Sequence, residues 1–492
     1  MYLLQVAICS VGVLLVAGHP SDKLKRTKRQ DTDFKCPGAD GLFADPESCK
    51  KFYICSAYYP FAQNCPSSLY FDDVKKFCTR KTKQLKCGPV EPPPATAAPT
   101  ADPLAAPPCD PSICVLPECY CSADATRIPG GLEKSETPLM VLLSFDGAVN
   151  SLNFDHYLKL LTKNRTNPNG CPIKGTFFVS HEYTSHFHLQ KFYADGHEVA
   201  VHSISNRYPE EWWATASYNE YAEEMVGQRE IIHKFANISR EELLGMRAPF
   251  LHPGGDPMMQ MAFDYDFLYD SSVIASMSHT PVWPYTLDYK ISHKCMQGTC
   301  PTRSYPGLWE IPLNTLFSED GTGGMCSLAD QCVFHENDDE SVQQFLEDNF
   351  NRHYNVNRAP LGLYFHVNWF NDRNKTKVLL NFIDNILAKH KDVYFVTMQQ
   401  LIHWMRNPTK TTSLNSFAPW ACEKRESPCG IPKTCEVVLE MGEGYKEQRY
   451  MQTCAKCPAK YPWVGNFEGS VEGIKIADLT RAAAEEDEAE SK

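Results

Sequence analysis

The sequence predicts an α/β chain, a parallel sheet or barrel of strands alternating with helices, preceded by a small disulfide-rich β module. Three observations predict it. From Leu139 onward, continuous apolar runs alternate with amphipathic stretches, the texture of βα units whose strands are covered on both faces. Ahead of them, six cysteines fall within residues 36–87, a stretch too short to be held by apolar burial alone. Between the two lies a Pro/Ala-rich run, residues 88–108, with the composition of a semi-rigid extended spacer.

Composition bounds the rest. The 492 residues are 43% hydrophobic and 22% charged, which excludes a disordered, collagen-like or many-spanning chain. A net charge of −12 argues against nucleic acid as a partner, since phosphate contacts need a basic surface. The 21 cysteines favour an oxidising compartment. Residues 2–18 are apolar, uncharged and end in small residues, with Pro20 directly after. They read as a secretory signal peptide over 1–18 rather than a short anchor, and no other run is long enough to span a membrane. Residues 19–30 are basic, with Arg26-Thr27-Lys28-Arg29 resembling a proprotein-convertase site; a solvated basic run explains them equally well. Cys9 leaves with the signal, and the 20 that remain suit complete pairing. A secreted chain would make use of the N-x-[ST] sequons at Asn164, Asn237 and Asn374.

In the module, assigned to 31–87, the spacing is Cys36-x12-Cys49-x5-Cys55-x9-Cys65-x12-Cys78-x8-Cys87. Six cysteines allow 15 connectivities, and spacing does not choose among them. Phe43, Phe52, Tyr53, Tyr58, Tyr59, Phe61, Tyr70 and Phe71 lie between them. So small a unit cannot bury every ring, and an exposed ring offers a flat apolar face on which a sugar can stack.

The larger domain, 109–405, opens with Cys109, Cys114, Cys119 and Cys121. Strands are predicted at 139–145, 175–180, 197–203, 361–367 and 393–398. Helices are predicted at 221–235, with Tyr221, Met225 and Ile232 on one face, and at 378–390, with Leu379, Phe382, Ile383 and Ile386 on one face. In such folds the chemistry sits at the carboxyl ends of the strands. Four pieces stand out: Ser144-Phe145-Asp146-Gly147, His202-Ser203-Ile204-Ser205-Asn206, Arg247-Ala248-Pro249-Phe250 and His366. No G-x-S-x-G elbow occurs, so a serine hydrolase has little support. Residues 406–466 form a cysteine-rich extension, where Cys454-x2-Cys457 suits disulfides better than zinc, and 467–492 read as an acidic tail.

Two resemblances follow from these residues. Leu42-Phe43-Ala44-Asp45-Pro46, Phe52-Tyr53-x-Cys55 and Leu69-Tyr70-Phe71-Asp72 resemble the peritrophin-A type chitin-binding domain. That resemblance implies the pairs Cys36–Cys55, Cys49–Cys87 and Cys65–Cys78, and a chitin-binding face on Phe52, Tyr53, Tyr70 and Phe71. The four pieces of the larger domain, with blocks such as MRAPFL (246–251), YDSSV (269–273) and PGLWEIP (306–312), resemble the polysaccharide deacetylases of carbohydrate esterase family four, in particular chitin deacetylases of the arthropod and nematode type. This implies a distorted, incomplete (β/α) barrel that hydrolyses the N-acetyl group of N-acetylglucosamine units around a divalent metal, usually zinc, held by an Asp and two His. By the resemblance, Asp146 is the base, Arg247 orients it, His366 is the general acid and His202 is a metal ligand. Two positions depart: Gly147 stands where the family has its metal-binding Asp, and Asn206 where it has its second His. Glycine offers no side-chain donor and asparagine only a neutral carbonyl oxygen. Replacement ligands could come from Asn150, His181, His186, His188 or His197. Two readings compete: an active chitin deacetylase, and a non-enzymatic protein that holds or organises a chitin matrix. Both place the chain outside the cell on chitin.

Overall fold

A computed structural model describes residues 34–37, 41–56, 59–65, 69–73, 76–79, 81, 85, 102, 104–317, 325–334, 339–422, 425–427, 429–441 and 444–477. The expected signal peptide, the basic segment, most of the spacer and the last residues of the tail lie outside them. So do Cys87 and the side chains of Cys55, Tyr58, Tyr59 and Phe61. The chain divides into two compact units, Met1–Ala101 and Asp102–Lys492.

In the first unit, Gly41–Ala44, Lys51–Ser56 and Tyr59–Asn64 form an antiparallel sheet, and Tyr70–Asp72 pairs with Phe77–Thr79. Ala44, Cys65 and Phe71 are its buried centre. Cys65 is bonded to Cys78, and Cys36 and Cys49 are also in disulfides.

The second unit is a chain of βα units. Strands β1 (Leu139–Gly147), β2 (Thr176–Val179), β3 (Glu198–Val201), β4 (Gly245–Met246), β5 (Tyr269–Asp270) and β6 (Tyr305–Glu310) lie side by side in parallel register; β7 (Leu361–Phe365) and β8 (Val393–Phe395) both pair with the other side of β1. Helices α1 (Phe154–Leu160), α2 (His186–Ala194), α3 (Gly227–Ala236), α4 (Gly255–Asp264), α5 (Asp339–Asn355), α6 (Arg373–Lys389) and α7 (Met398–Arg406) fill the connections. Tyr285–Leu287 runs antiparallel on β6, and no ladder among the described residues joins that edge to β7. The result is a distorted, incomplete barrel.

The period of two along β1 divides its side chains between two cores. Met140 and Leu142 face the interior with Phe178, Ala200 and Tyr364. Leu139, Val141, Leu143 and Phe145 pack under the outer helices. Asp146 has the parity of Met140, His202 that of Ala200 and His366 that of Tyr364, so the alternation that builds the core aims all three inward at the carboxyl ends of their strands.

The sequence expectations shift in three places. The helix over 221–235 is broken by a π-helical turn at Ala222–Val226 before α3. The last predicted strand ends at Phe395, because the Thr397 hydroxyl accepts from Gln400 N and caps α7. The tail boundary at 467 is corrected: Phe467 and Ile476 are buried in the barrel core, their apolar side chains having no place in a solvated tail. The extension carries a long hairpin, β9 (Lys433–Met441) with β10 (Tyr445–Thr453), stapled by Cys429–Cys454 and Cys435–Cys457 and tied to the barrel by Cys171–Cys422.

Candidate functional site

Asp146 ends β1 with its Oδ1 accepting from Arg247 Nη1 at 2.7 Å. Arg247 is fully buried, and it spends its remaining donors on the Ser144 hydroxyl (2.9 Å), the Ser271 carbonyl (2.7 Å) and the Ser271 hydroxyl (2.9 Å). Its guanidinium lies between the rings of Phe178 (3.9 Å) and Tyr364 (4.6 Å). A planar, permanently charged fork satisfied on every side holds one carboxylate oxygen in place and leaves the other available.

Behind Arg247, Asp270 and Glu310 are fully buried. Burial pushes Asp270 up to about 6; burial, then the Asp270 charge, raises Glu310. Asp270 accepts from the Ser272 hydroxyl at 2.6 Å, and that hydroxyl accepts from Ala248 N at 2.7 Å. The carboxyls thus brace the backbone on which Arg247 sits. Sequence reasoning gave them no role, although both fall in blocks singled out there.

His202 Nδ1 lies 2.9 Å from the Arg247 carbonyl oxygen. A carbonyl only accepts, so Nδ1 carries the proton and the Nε2 lone pair is free to act as a ligand or acceptor. Burial lowers its pKa to about 4, against a pull upward from Asp146, so the ring is neutral at physiological pH. The loop after it is strained and anchored. Ser203 and Asn206 have φ of +68° and +44°, and the buried Glu224 carboxylate accepts from Ile204 N (3.1 Å), Ser205 N (2.9 Å) and the Ser205 hydroxyl. Asn206 itself is exposed.

His366 Nδ1 lies 3.0 Å from Asp330 Oδ2, and its backbone N–H donates to Asp330 Oδ1 at 2.9 Å. Burial disfavours the imidazolium, but the Asp330 hydrogen bond and the Asp146 and Asp330 charges outweigh it and raise the pKa. Asp146 bears electrostatically on both histidines, so one carboxylate, one imidazole of raised pKa and one neutral imidazole lie within reach of each other's charge. Asp330 was missed in the sequence. It lies on a short 3-10 turn inside the Cys326–Cys332 loop, and only that small cysteine loop could have pointed to a rigid segment.

The other candidates lie elsewhere. His181 and His186 are fully buried, against Tyr461 and Phe235. His188 packs on Phe154. His197 precedes β3 and so stands at the opposite end of the strands, where its Nδ1 takes the Gly175 N–H. The Asn150 amide serves its own turn, accepting from Leu152 N and donating to the Tyr183 carbonyl. A partly open polar pocket of about 180 Å³, lined by Glu198, Gln399 and Arg425, also lies at the far end of β3, away from Asp146 and His366. Asn164, Asn237 and Asn374 are all exposed.

In the module, two of the four expected stacking rings are turned inward. Phe71 is 2% and Tyr53 8% exposed, and Phe52 is half-buried and stacked on Phe71 at 4.7 Å. The physical reason is size: with so few apolar side chains, the module uses these rings as its core. Tyr70 is half-buried, with the ammonium groups of Lys50 and Lys81 at 5.4 and 5.6 Å from its ring.

Residues 36–87 match the family model described as Chitin binding Peritrophin-A domain. Over 379 residues the chain is 42% identical to Chitin deacetylase 1 of Bombyx mori, an alignment covering 75% of this chain and 70% of that protein. The chain belongs to the chitin deacetylase family. It is also 36% identical over 377 residues to Chitin deacetylase 8 of Bombyx mori, covering 76% of this chain and 96% of that protein. A 53-residue stretch is 38% identical to Major mite allergen Der p 23 of Dermatophagoides pteronyssinus, 11% of this chain and 59% of that protein.

Membership implies a metal-dependent chemistry, and the donor set here does not fit it. Gly147 has φ +110° and open space where a Cβ would stand. With Asn206, that leaves the His202 Nε2 as one imidazole beside a neutral amide, far from the three strong ligands a catalytic zinc takes. Among the described residues, no three His, Cys, Asp or Glu side chains are grouped so as to hold a metal ion. No helix among them is long and apolar enough to cross a membrane.

Proposed function

We propose that this member of the chitin deacetylase family is an extracellular chitin-binding protein whose barrel holds N-acetylglucosamine chains without zinc-dependent removal of their acetyl groups. One observation supports the reading: Asp146 stays paired with Arg247 and His366 with Asp330, while Gly147 offers no side-chain ligand and Asn206 only a neutral amide oxygen. Without a Lewis acid to polarise the acetamide carbonyl and lower the pKa of water, the remaining groups fall several kcal/mol short of the chemistry. They can still bind. The His366 imidazolium can donate to an acetamide carbonyl, and the Asp146 carboxylate can accept from an amide or hydroxyl. The module match and the disulfides support chitin as the partner and an oxidising compartment. Zinc enters this reading only as the ion the family implies.

The test is binding and turnover on the same preparation. The full chain should sediment with insoluble chitin, and acetate release from N-acetylglucosamine hexamer should stay at background. Tyr70→Ala should weaken sedimentation, a stacked ring being worth about 1 kcal/mol. Acetate release that a chelator abolishes would establish the competing reading, an active deacetylase with a ligand outside the motif positions.

A further inference from the structure

Tyr183, on the loop between β2 and α2, has φ +64° while its side chain stays 63% exposed. A bulky residue takes a left-handed backbone only where its surroundings enforce it, and here they do. Thr184 Oγ1 accepts from Val149 N (3.2 Å) and Ser185 N donates to the Val149 carbonyl (2.7 Å). The Asn150 amide donates to the Tyr183 carbonyl at 3.3 Å. These contacts clamp the loop to the segment that follows Asp146 and Gly147, at the carboxyl ends of β1 and β2. The ring's support comes from the hairpin. The Arg449 guanidinium on β10 lies 5.4 Å from the Tyr183 ring centre, and its Nη2 is 2.7 Å from Glu182 Oε1. The ring is therefore backed by a fixed cation, yet most of it faces solvent.

We infer that Tyr183 is a sugar-stacking subsite that extends the cleft, and that the disulfide-stapled hairpin positions it through Arg449. The occupant is a β-linked N-acetylglucosamine chain. Its units are uncharged and expose apolar ring faces, which suit an aromatic plane, and the loop that carries Tyr183 is hydrogen-bonded to the segment following Asp146. The inference rests on the chitin-binding reading above and gives the cysteine-rich extension a part in it. Strain and an ion pair that hold a ring outside the core contribute little to folding; they make sense where the ring meets a ligand.

Hydroxyl-radical footprinting of the full chain, read by mass spectrometry with and without soluble N-acetylglucosamine hexamer, tests it. Tyr183 oxidation should fall several-fold with hexamer. Tyr450, equally exposed at 63% but on the opposite face of β10 from Arg449, should be unchanged and serves as the internal control. Arg449→Gln should remove most of the Tyr183 protection and leave that of Tyr70 intact. Protection of Tyr70 with none at Tyr183 would overturn the subsite while sparing chitin binding by the module. Protection of neither ring would overturn both readings. Equal protection of Tyr183 in wild type and Arg449→Gln would overturn the role given to the hairpin.

Discussion

The two sides of the cleft are built differently. On one, Asp146, Arg247, His366 and Asp330 are tied into paired charges that fold and site both need: Arg247 alone links β1, β4 and the Ser271 backbone. On the other, His202 keeps a ligand-ready tautomer, but the two further ligand positions of the motif hold a glycine at φ +110° and an exposed asparagine on a strained loop. The difference separates positions whose side chains are tied into buried charges from positions whose side chains make no buried contact. Removing a buried charge leaves its partner unpaired in the core.

The comparison breaks most sharply at Arg247. Arg247→Ala strands the Asp146 carboxylate and several buried oxygens, and should destabilise the chain by about 3–5 kcal/mol in urea unfolding. A loss below about 1 kcal/mol would show that the charged side is no more structural than the other. The opposite experiment rebuilds the weak side. Gly147→Asp with Asn206→His should create a zinc site beside an intact Asp146 and His366, measured by isothermal titration with zinc. Its strained backbone at position 147 should cost about 1–3 kcal/mol. A folded double variant that takes up no zinc would mean that the loop geometry, and not only the donors, has changed.

The smallest effect concerns His366. In Asp330→Asn its pKa, followed by NMR, should fall, because the hydrogen bond and charge that raise it are gone. The sign is set by the raised folded pKa: the contact contributes fully below the unfolded value near 6.5 and is lost as pH rises through the folded pKa. The side chain is 39% exposed, so this pH-dependent stability should stay below about 1 kcal/mol. An unchanged His366 pKa would detach Asp330 from the site.

Legibility followed the same physics. β1, β2, β3, β7 and β8 could be read because buried parallel strands are continuous apolar runs. β4 and β5 could not: two residues carry no period. β6 was hidden by Pro306 and Gly307. The hairpin was read only as a cysteine segment, although Cys435, Val437 and Leu439 alternate inward with exposed neighbours. At the site, Asp146, His202 and His366 were visible as polar residues closing apolar strands. Asp330 and the Asp270–Glu310 brace were not, because their roles come from contacts across the fold. In the module, Phe71 and Tyr53 misled because an aromatic between cysteines looks alike whether it forms the core or the binding face.

On the proposed reading this chain lacks the metal donor set and keeps the Asp146 and His366 pair. Elemental analysis of the native protein, after equilibration with micromolar zinc and removal of free ion, tests it most directly. The native chain should hold well below one zinc, with the Gly147→Asp, Asn206→His variant approaching one. One zinc per native chain, lost on replacing His202 with alanine, would contradict it.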